Sequence, residues 1–486
     1  MSSFRLPRFI TERANTVARL FGAVVVLLML SGVFAVPASA GPLAITSFTG
    51  DSTLISHTGG TVSLLAFAQG TTTCTFSVSP ALVGLPTSIG CQNGSASQQV
   101  SIPANTGKAR SFTFKVRGTT GNTSVTKTLI VNQANSLEVV GLSAGNNHTC
   151  ALVKGATVKC WGANNYSQLG LAASTYIATP VAISGLTGVK SISAGGEHTC
   201  ALDNGGIVRC WGGNDHGQLG DGTLNDAATP VTVTGLAGVK AISAGDLHTC
   251  ALLTAGTVKC WGWNAMGQLG DTTQTNRLAP VAVAGLSGVK AISLGDGHSC
   301  ALLAGGTVKC WGWNLFGQLG NGSSQFATSP VAVSGLVGVT AISAGGYHGC
   351  ALLNAGTVRC WGYNDYGQLG DGTLTNRSTP VAVPNLAGVV ALSLGSEHTC
   401  AFVNGGAVKC WGRNMEGELG DGARTYNESS PVAVTGLTGV TGIDAGGNHT
   451  CSYVRLGIAK CWGSNYSGEL GNRTLTDSAS PVEVWS

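Results

Sequence analysis

Seven times along this chain a histidine stands two residues before a cysteine, and a second cysteine follows ten residues after the first. The sets are His148, Cys150 and Cys160; His198, Cys200 and Cys210; His248, Cys250 and Cys260; His298, Cys300 and Cys310; His348, Cys350 and Cys360; His398, Cys400 and Cys410; and His449, Cys451 and Cys461. Imidazole and thiolate are soft metal ligands, and imidazole is also a common general base, so metal binding and proton transfer are the chemistries to weigh. Paired zinc ligands usually sit about two to four residues apart, which disfavours a metal here. Catalysis needs one asymmetric cluster, and seven equal copies do not supply it. Each histidine is therefore expected to tie a ring nitrogen to a neighbouring backbone carbonyl.

The ten-residue step brackets a hairpin. In CALDNGGIVRC (200–210) the Asn204-Gly205-Gly206 turn places Cys200 opposite Cys210, close enough for a disulfide in a twisted sheet. Closing so short a loop stabilises a fold by up to roughly 3 kcal/mol on the chain-entropy model. Seven such pairs require an oxidising compartment, and the chain carries 16 cysteines, an even number. Residues 1–20 hold four arginines, 21–36 are almost wholly apolar, and Ala38-Ser39-Ala40 supplies small residues for cleavage. That is the order of a secretory signal over 1–40, and the apolar run is shorter than the ~20 residues that span a bilayer comfortably. No membrane span is expected after cleavage.

The elements that carry these residues repeat with them. The histidines are 50 residues apart, with a single 51-residue step before His449, and seven units fill 137–486. The extra residue falls in the variable stretch 421–430, which reads as a loop insertion. In the unit 291–340 four short apolar runs, AISLG, HSCALL, TVKCWG and PVAV, are separated by glycine and polar turns, and no helical stripe is present. Glycine makes up 73 of the 486 residues, in keeping with many tight turns. Four strands in each of seven repeats predict an all-β chain with a seven-bladed β-propeller.

The unit resembles the repeat of the regulator of chromosome condensation family. The likeness rests on Gly295, His298, Ala301-Leu302, Val308, Trp311-Gly312, Asn314, Gly317-Gln318-Leu319-Gly320 and Pro330-Val331, and it recurs over about 350 residues. It implies the propeller fold. The founding member promotes nucleotide exchange on a small GTPase through a wedge inserted into one blade. The units here are uniform in length, so guanine-nucleotide exchange is implied by the family label only. Ahead of the propeller, residues 42–135 lack the period. Alternating runs at 61–67, 111–118 and 126–134 predict a small immunoglobulin-like β-sandwich. TCTFSVSPALVGLP and SIPANTG resemble bacterial surface sandwich domains with their own disulfide, which implies that Cys74 pairs with Cys91.

Among the repeated residues, the tryptophan after each second cysteine is expected to pack between blades, and the asparagine three residues on to hold a turn. No nucleophile elbow, phosphate loop or metalloprotease motif appears. Asp221–Asp226 lacks the spacing of a calcium loop and reads as a solvated turn. No catalytic residue, metal or cofactor is expected. The formal net charge is +4, most of it in the first 20 residues, and there is no basic run to serve nucleic acid.

Positions that drift between repeats are free for recognition. Three of them flank the fixed asparagine after Trp-Gly, and seven of these 21 residues are aromatic in a chain that is 6% aromatic. Units three to five place Trp263, Met266, Trp313, Leu315, Phe316, Tyr363 and Tyr366 on neighbouring blades, with Tyr347 as an extension and Asp365, Arg413 and Glu416 as a charged border. Exposed aromatic clusters mark binding surfaces, and the alternative is that the rings fill gaps between blades. The expected function is an exported, non-enzymatic binding protein that grips an extracellular or cell-envelope protein, with inhibition as one version. The competing reading is a lectin or hydrolase-associated module for cell-wall polysaccharide. The chain shows no convergent carboxylate pair for hydrolysis.

Overall fold

The computed structural model describes residues 44–50, 54–55, 60–69, 73–79, 95–102, 110–120, 123–133, 137–455 and 457–485. The expected signal segment 1–40 and Cys91, the expected partner of Cys74, lie outside the described residues.

The alternating runs ahead of the repeats are strands, at Gly60–Gln69, Arg110–Thr120 and Thr123–Gln133. They belong to two different sheets. Gly60–Gln69 pairs with Ala44–Gly50 and Ser95–Ile102. Arg110–Thr120 lies between Thr73–Ser79 and Thr123–Gln133, and Leu54–Ile55 adds to the latter in parallel. Phe112, Phe114 and Val116 alternate along one strand and are all buried, as a half-covered strand requires.

From residue 137 onward the described chain forms seven four-stranded antiparallel sheets, each with its strands in sequence order. In the fourth, these are Val289–Leu294, His298–Leu303, Val308–Gly312 and Ala327–Ala332. The second and third strands form the hairpin, with Cys300 opposite Cys310. In all seven sheets the two cysteines form a disulfide with Cα atoms 4.1 Å apart.

A sheet this small cannot cover its own apolar faces, so neighbours must do so. Cys300, Leu302, Val308 and Leu319 of the fourth sheet share a cluster with Ala351 and Trp361 of the fifth. Each tryptophan is buried in this way, against the sheet before its own. The seventh sheet packs on the first: Cys451, Cys461, Leu470 and Val484 join Val139, Ala151 and Trp161. Gly447 N donates to Gly145 O at 3.0 Å across the same boundary.

The histidines correct one expectation. Their Nε2 atoms do not reach a backbone carbonyl. His148 Nε2 bonds Thr199 Oγ1 of the next sheet at 2.8 Å, and His198, His248, His348, His398 and His449 repeat the contact with Thr249, Ser299, Thr399, Thr450 and Thr149. Thr199 Oγ1 donates its single proton to Gln168 O at 3.0 Å. The hydroxyl must then accept from histidine, which fixes the neutral tautomer with the proton on Nε2. Burial holds all seven imidazoles far below their usual pKa, at about 3 to 4. One link is missing. Gly349 stands where the other sheets have threonine or serine, and His298 is fully buried with no hydrogen bond to either ring nitrogen.

Candidate binding face

The third strand of each repeat sheet ends in Trp-Gly, and the chain then turns sharply around a buried asparagine. Asn314 Oδ1 accepts from Leu319 N at 2.8 Å, while its Nδ2 donates to Ser323 O and Gln325 O at 3.0 and 2.9 Å. One amide thus ties the turn to the following loop, as expected of this residue. The residues on either side of it, Trp313, Leu315 and Phe316, are left partly or fully exposed.

Glycine at 312 is needed for the geometry. Its φ is +101°, and a Cβ there would lie 2.6 Å from Gly297 O. The close approach brings the Gly-x-x-His loop against the turn, so that Trp313 N donates to Gly297 O at 2.8 Å. In the fifth sheet Tyr363 N donates to Tyr347 O in the same way, at 3.0 Å. The residue before each histidine therefore sits beside the first drifting position, which is why Tyr347 joins the patch.

The rings form a continuous series across sheets. Trp313 meets Tyr347 edge-on at 5.2 Å and Phe316 at 6.4 Å. Phe316 lies 4.7 Å from Tyr363 and 5.9 Å from Tyr347. Tyr363 leads to Tyr366 at 6.3 Å, and Tyr366 to Tyr426 at 5.4 Å. At the other end Trp263 and Trp313 both border Gly297, and Trp263 lies 6.2 Å from His216. Edge and tilted contacts at these distances are the favoured arrangements of aromatic pairs.

Of the seven residues expected at this face, Trp313, Phe316, Tyr363 and Tyr366 stand in the ring series, and Trp263 adjoins it. Met266 is half-buried and Leu315 is 61% exposed on the equivalent turns, without a ring contact. Sequence reading missed Tyr426, which is 61% exposed. It lies in the loop with the one-residue insertion, and that departure from the period was its only signal. Across the sheets Ala163 and Ser464, equivalent to Trp313, are buried.

The charged border is not balanced. Arg413 contacts Glu418 and Glu416 closely and lies 3.5 Å from Glu397, so its guanidinium is engaged within the border itself. Burial still lifts the Glu418 carboxyl to about 8, against the attraction of Arg413. Burial, and then the charge of Asp365, raise the Tyr363 phenol above its ordinary value. Asp221 and Asp226 serve as turn acceptors, for Thr223 N at 2.9 Å and Asn214 N at 2.8 Å.

The cysteines are engaged with each other and six of the seven histidines with the next sheet, so the His–Cys pattern is a stapled latch between sheets. Among the described residues no helix is long and apolar enough to cross a membrane.

No curated protein matches this chain. Two models of the regulator of chromosome condensation (RCC1) repeat do. One matches residues 139–168, 189–218, 239–268, 289–318, 339–368 and 389–418, and the other 158–202, 206–252, 255–302, 305–352, 355–402 and 406–453. Among solved structures, yeast RCC1 (Prp20) bound to Kap60 is 23% identical, with a TM-score of 0.61 over 72% of this chain and 85% of that one. Human WBSCR16 is also 23% identical, with a TM-score of 0.62 over 68% of this chain and 94% of its own. Identity at this level speaks for fold alone, whereas the repeat models span more than half of the chain. The chain belongs to the regulator of chromosome condensation (RCC1) repeat family.

Proposed function

We propose that this chain is an exported, non-enzymatic binding protein. Its parts are a cleaved signal over 1–40, an immunoglobulin-like sandwich over 42–135 and a closed seven-bladed propeller over 137–486. The propeller recognises a protein partner in the extracellular space or cell envelope through the aromatic face of its third to sixth blades.

The observation that carries this reading is the unbroken ring series from Trp313 through Phe316, Tyr347, Tyr363 and Tyr366 to Tyr426. Aromatic side chains give large contact area at low entropic cost and dominate protein interfaces. Seven disulfides suit an oxidising environment. A Saccharomyces cerevisiae structure of Prp20p, 23% identical, was reported with binding properties to Gsp1p and histones. That protein's partners are not carried over, because recognition here lies in residues that drift between repeats.

The reading is tested by placing a photo-crosslinking residue at Leu315, with a control at Tyr466, which is 68% exposed on the seventh sheet. Illumination in extracellular and envelope fractions should yield one protein adduct from position 315 and none from 466. Equal adducts from both, or polysaccharide alone at 315, would contradict it.

A further inference from the structure

The loops between the first and second strands of the repeat sheets read Gly-x-x-His and meet at the inner ends of the sheets. At the first x, the third and fourth sheets carry aspartate, Asp246 and Asp296, and glycine stands on either side of the pair, at 196 and 346. These glycines give the carboxylates room. A Cβ at Gly196 would lie 1.9 Å from Asp246 Oδ1, and one at Gly346 would lie 3.0 Å from Asp296 Oδ2. Both aspartates line a cavity of about 70 Å³, enough for an ammonium or guanidinium head.

Neither carboxyl group has a cationic partner among the described residues. Asp246 accepts a hydrogen bond from Asn146 Nδ2 at 2.8 Å. No described residue donates to the carboxylate of Asp296, and no described cation pairs with either aspartate. Arg413, on the same border, is held by Glu397, Glu416 and Glu418. Burial, followed by the charges of Asp246 and Glu397, lifts the Asp296 carboxyl to about 7. The cavity and the aromatic patch share one field. Tyr347 follows Gly346 directly, and its phenol is pushed up to about 12 by burial and then by Asp296, Asp246 and Glu397. Trp263 and Trp313 flank Gly297, the residue after Asp296.

We propose that the partner presents a protruding loop with a lysine or arginine, whose cationic head enters this cavity over Asp296 and Asp246 while its stem lies along Trp313 and Tyr347. The inference rests on reading the aromatic face as a protein-binding surface, and adds the chemistry of what it binds. Two half-buried carboxylates repel an anion and call for a positive charge. Ring faces beside them add cation–π attraction. Among the described residues no group of three acidic, histidine or cysteine side chains is placed to hold a metal ion, so an organic cation is the fitting occupant.

The test pans a displayed library of short disulfide-closed peptides against the immobilised full chain, then measures the selected peptides on variants of unchanged melting temperature. The expected peptides carry a fixed lysine or arginine and bind more weakly as salt rises. They lose about thirtyfold or more in affinity on Asp296→Asn, with a comparable loss on Trp313→Ala. Replacing the peptide's lysine by norleucine should abolish the difference between the native chain and Asp296→Asn. Peptides that need Trp313 but carry no cation, and bind Asp296→Asn as well as the native chain, would overturn the cationic occupant and leave the aromatic reading standing. Peptides indifferent to both positions would overturn both.

Discussion

The indole N–H of Trp211 donates to the main-chain carbonyl of Gln168 at 2.9 Å, across the boundary between the first and second repeat sheets. The same carbonyl accepts Thr199 Oγ1, which in turn accepts His148 Nε2, so four residues from two sheets close one latch. The indole bond recurs at every boundary, including Trp161 to Glu469 O between the first and seventh sheets. Trp211→Phe keeps most of the apolar volume and loses only the donor. It should cost about 1 kcal/mol, while Trp211→Ala should cost about 3–5 kcal/mol. Denaturant titration of the two variants measures both. A loss on Trp211→Phe equal to that on Trp211→Ala would mean that packing is not what the ring mainly contributes.

Much of this was legible because the chain repeats. The strands at 291–332, the Cys200–Cys210 pairing and the roles of Trp311 and Asn314 follow from short-range spacing, which a sequence displays directly. The partner of His148 was not legible, since Thr199 is 51 residues away and becomes a neighbour only when sheets stack. The spacing itself pointed to a local backbone partner, and tertiary packing supplied a side chain instead. Tyr426 was missed because it falls where the period breaks, and comparison between repeats is blind there. The drift at 246 and 296 was visible in the sequence, but its meaning depends on seven loops meeting at one cavity.

Gly349 interrupts the latch and should be repairable. A Cβ there would lie 2.9 Å from the Trp361 ring, so any side chain forces that ring to shift. Gly349→Ala meets this cost without gaining a bond. Gly349→Thr meets it and also offers a hydroxyl to His298 Nε2. The threonine variant should be more stable than the alanine variant by about 0.5–1.5 kcal/mol, read from thermal or denaturant unfolding. Equal stabilities would show that His298 does not need the partner its counterparts have.

The buried histidines make stability depend on pH with a definite sign. Burial holds His298 at about 4 in the folded chain, below its ordinary 6.5. The unfolded chain therefore binds the extra proton first, and the contribution of this residue is lost as pH falls from about 6.5 towards 4. Asp296, Asp444 and Glu469, raised to about 7, 6 and 7, act in the opposite direction, losing stability as pH rises through the same region. Comparing the native chain with His298→Gln cancels that shared background. The stability difference between them should narrow by on the order of 2–3 kcal/mol between pH 7 and 4. A difference independent of pH would show that His298 titrates in the fold as it does in the unfolded chain, and so is not held neutral by burial.

The central claim is that the ring series on the third to sixth sheets is the recognition face. Oxidative side-chain footprinting of the full chain, alone and saturated with its captured protein partner, tests it most directly. Trp263, Trp313, Tyr347, Tyr363 and Tyr426 should lose most of their reactivity in the complex, while Tyr166 and Tyr466, exposed on the first and seventh sheets, should keep theirs. Protection of Tyr166 and Tyr466 with the ring series left reactive would place the interface elsewhere and contradict the account.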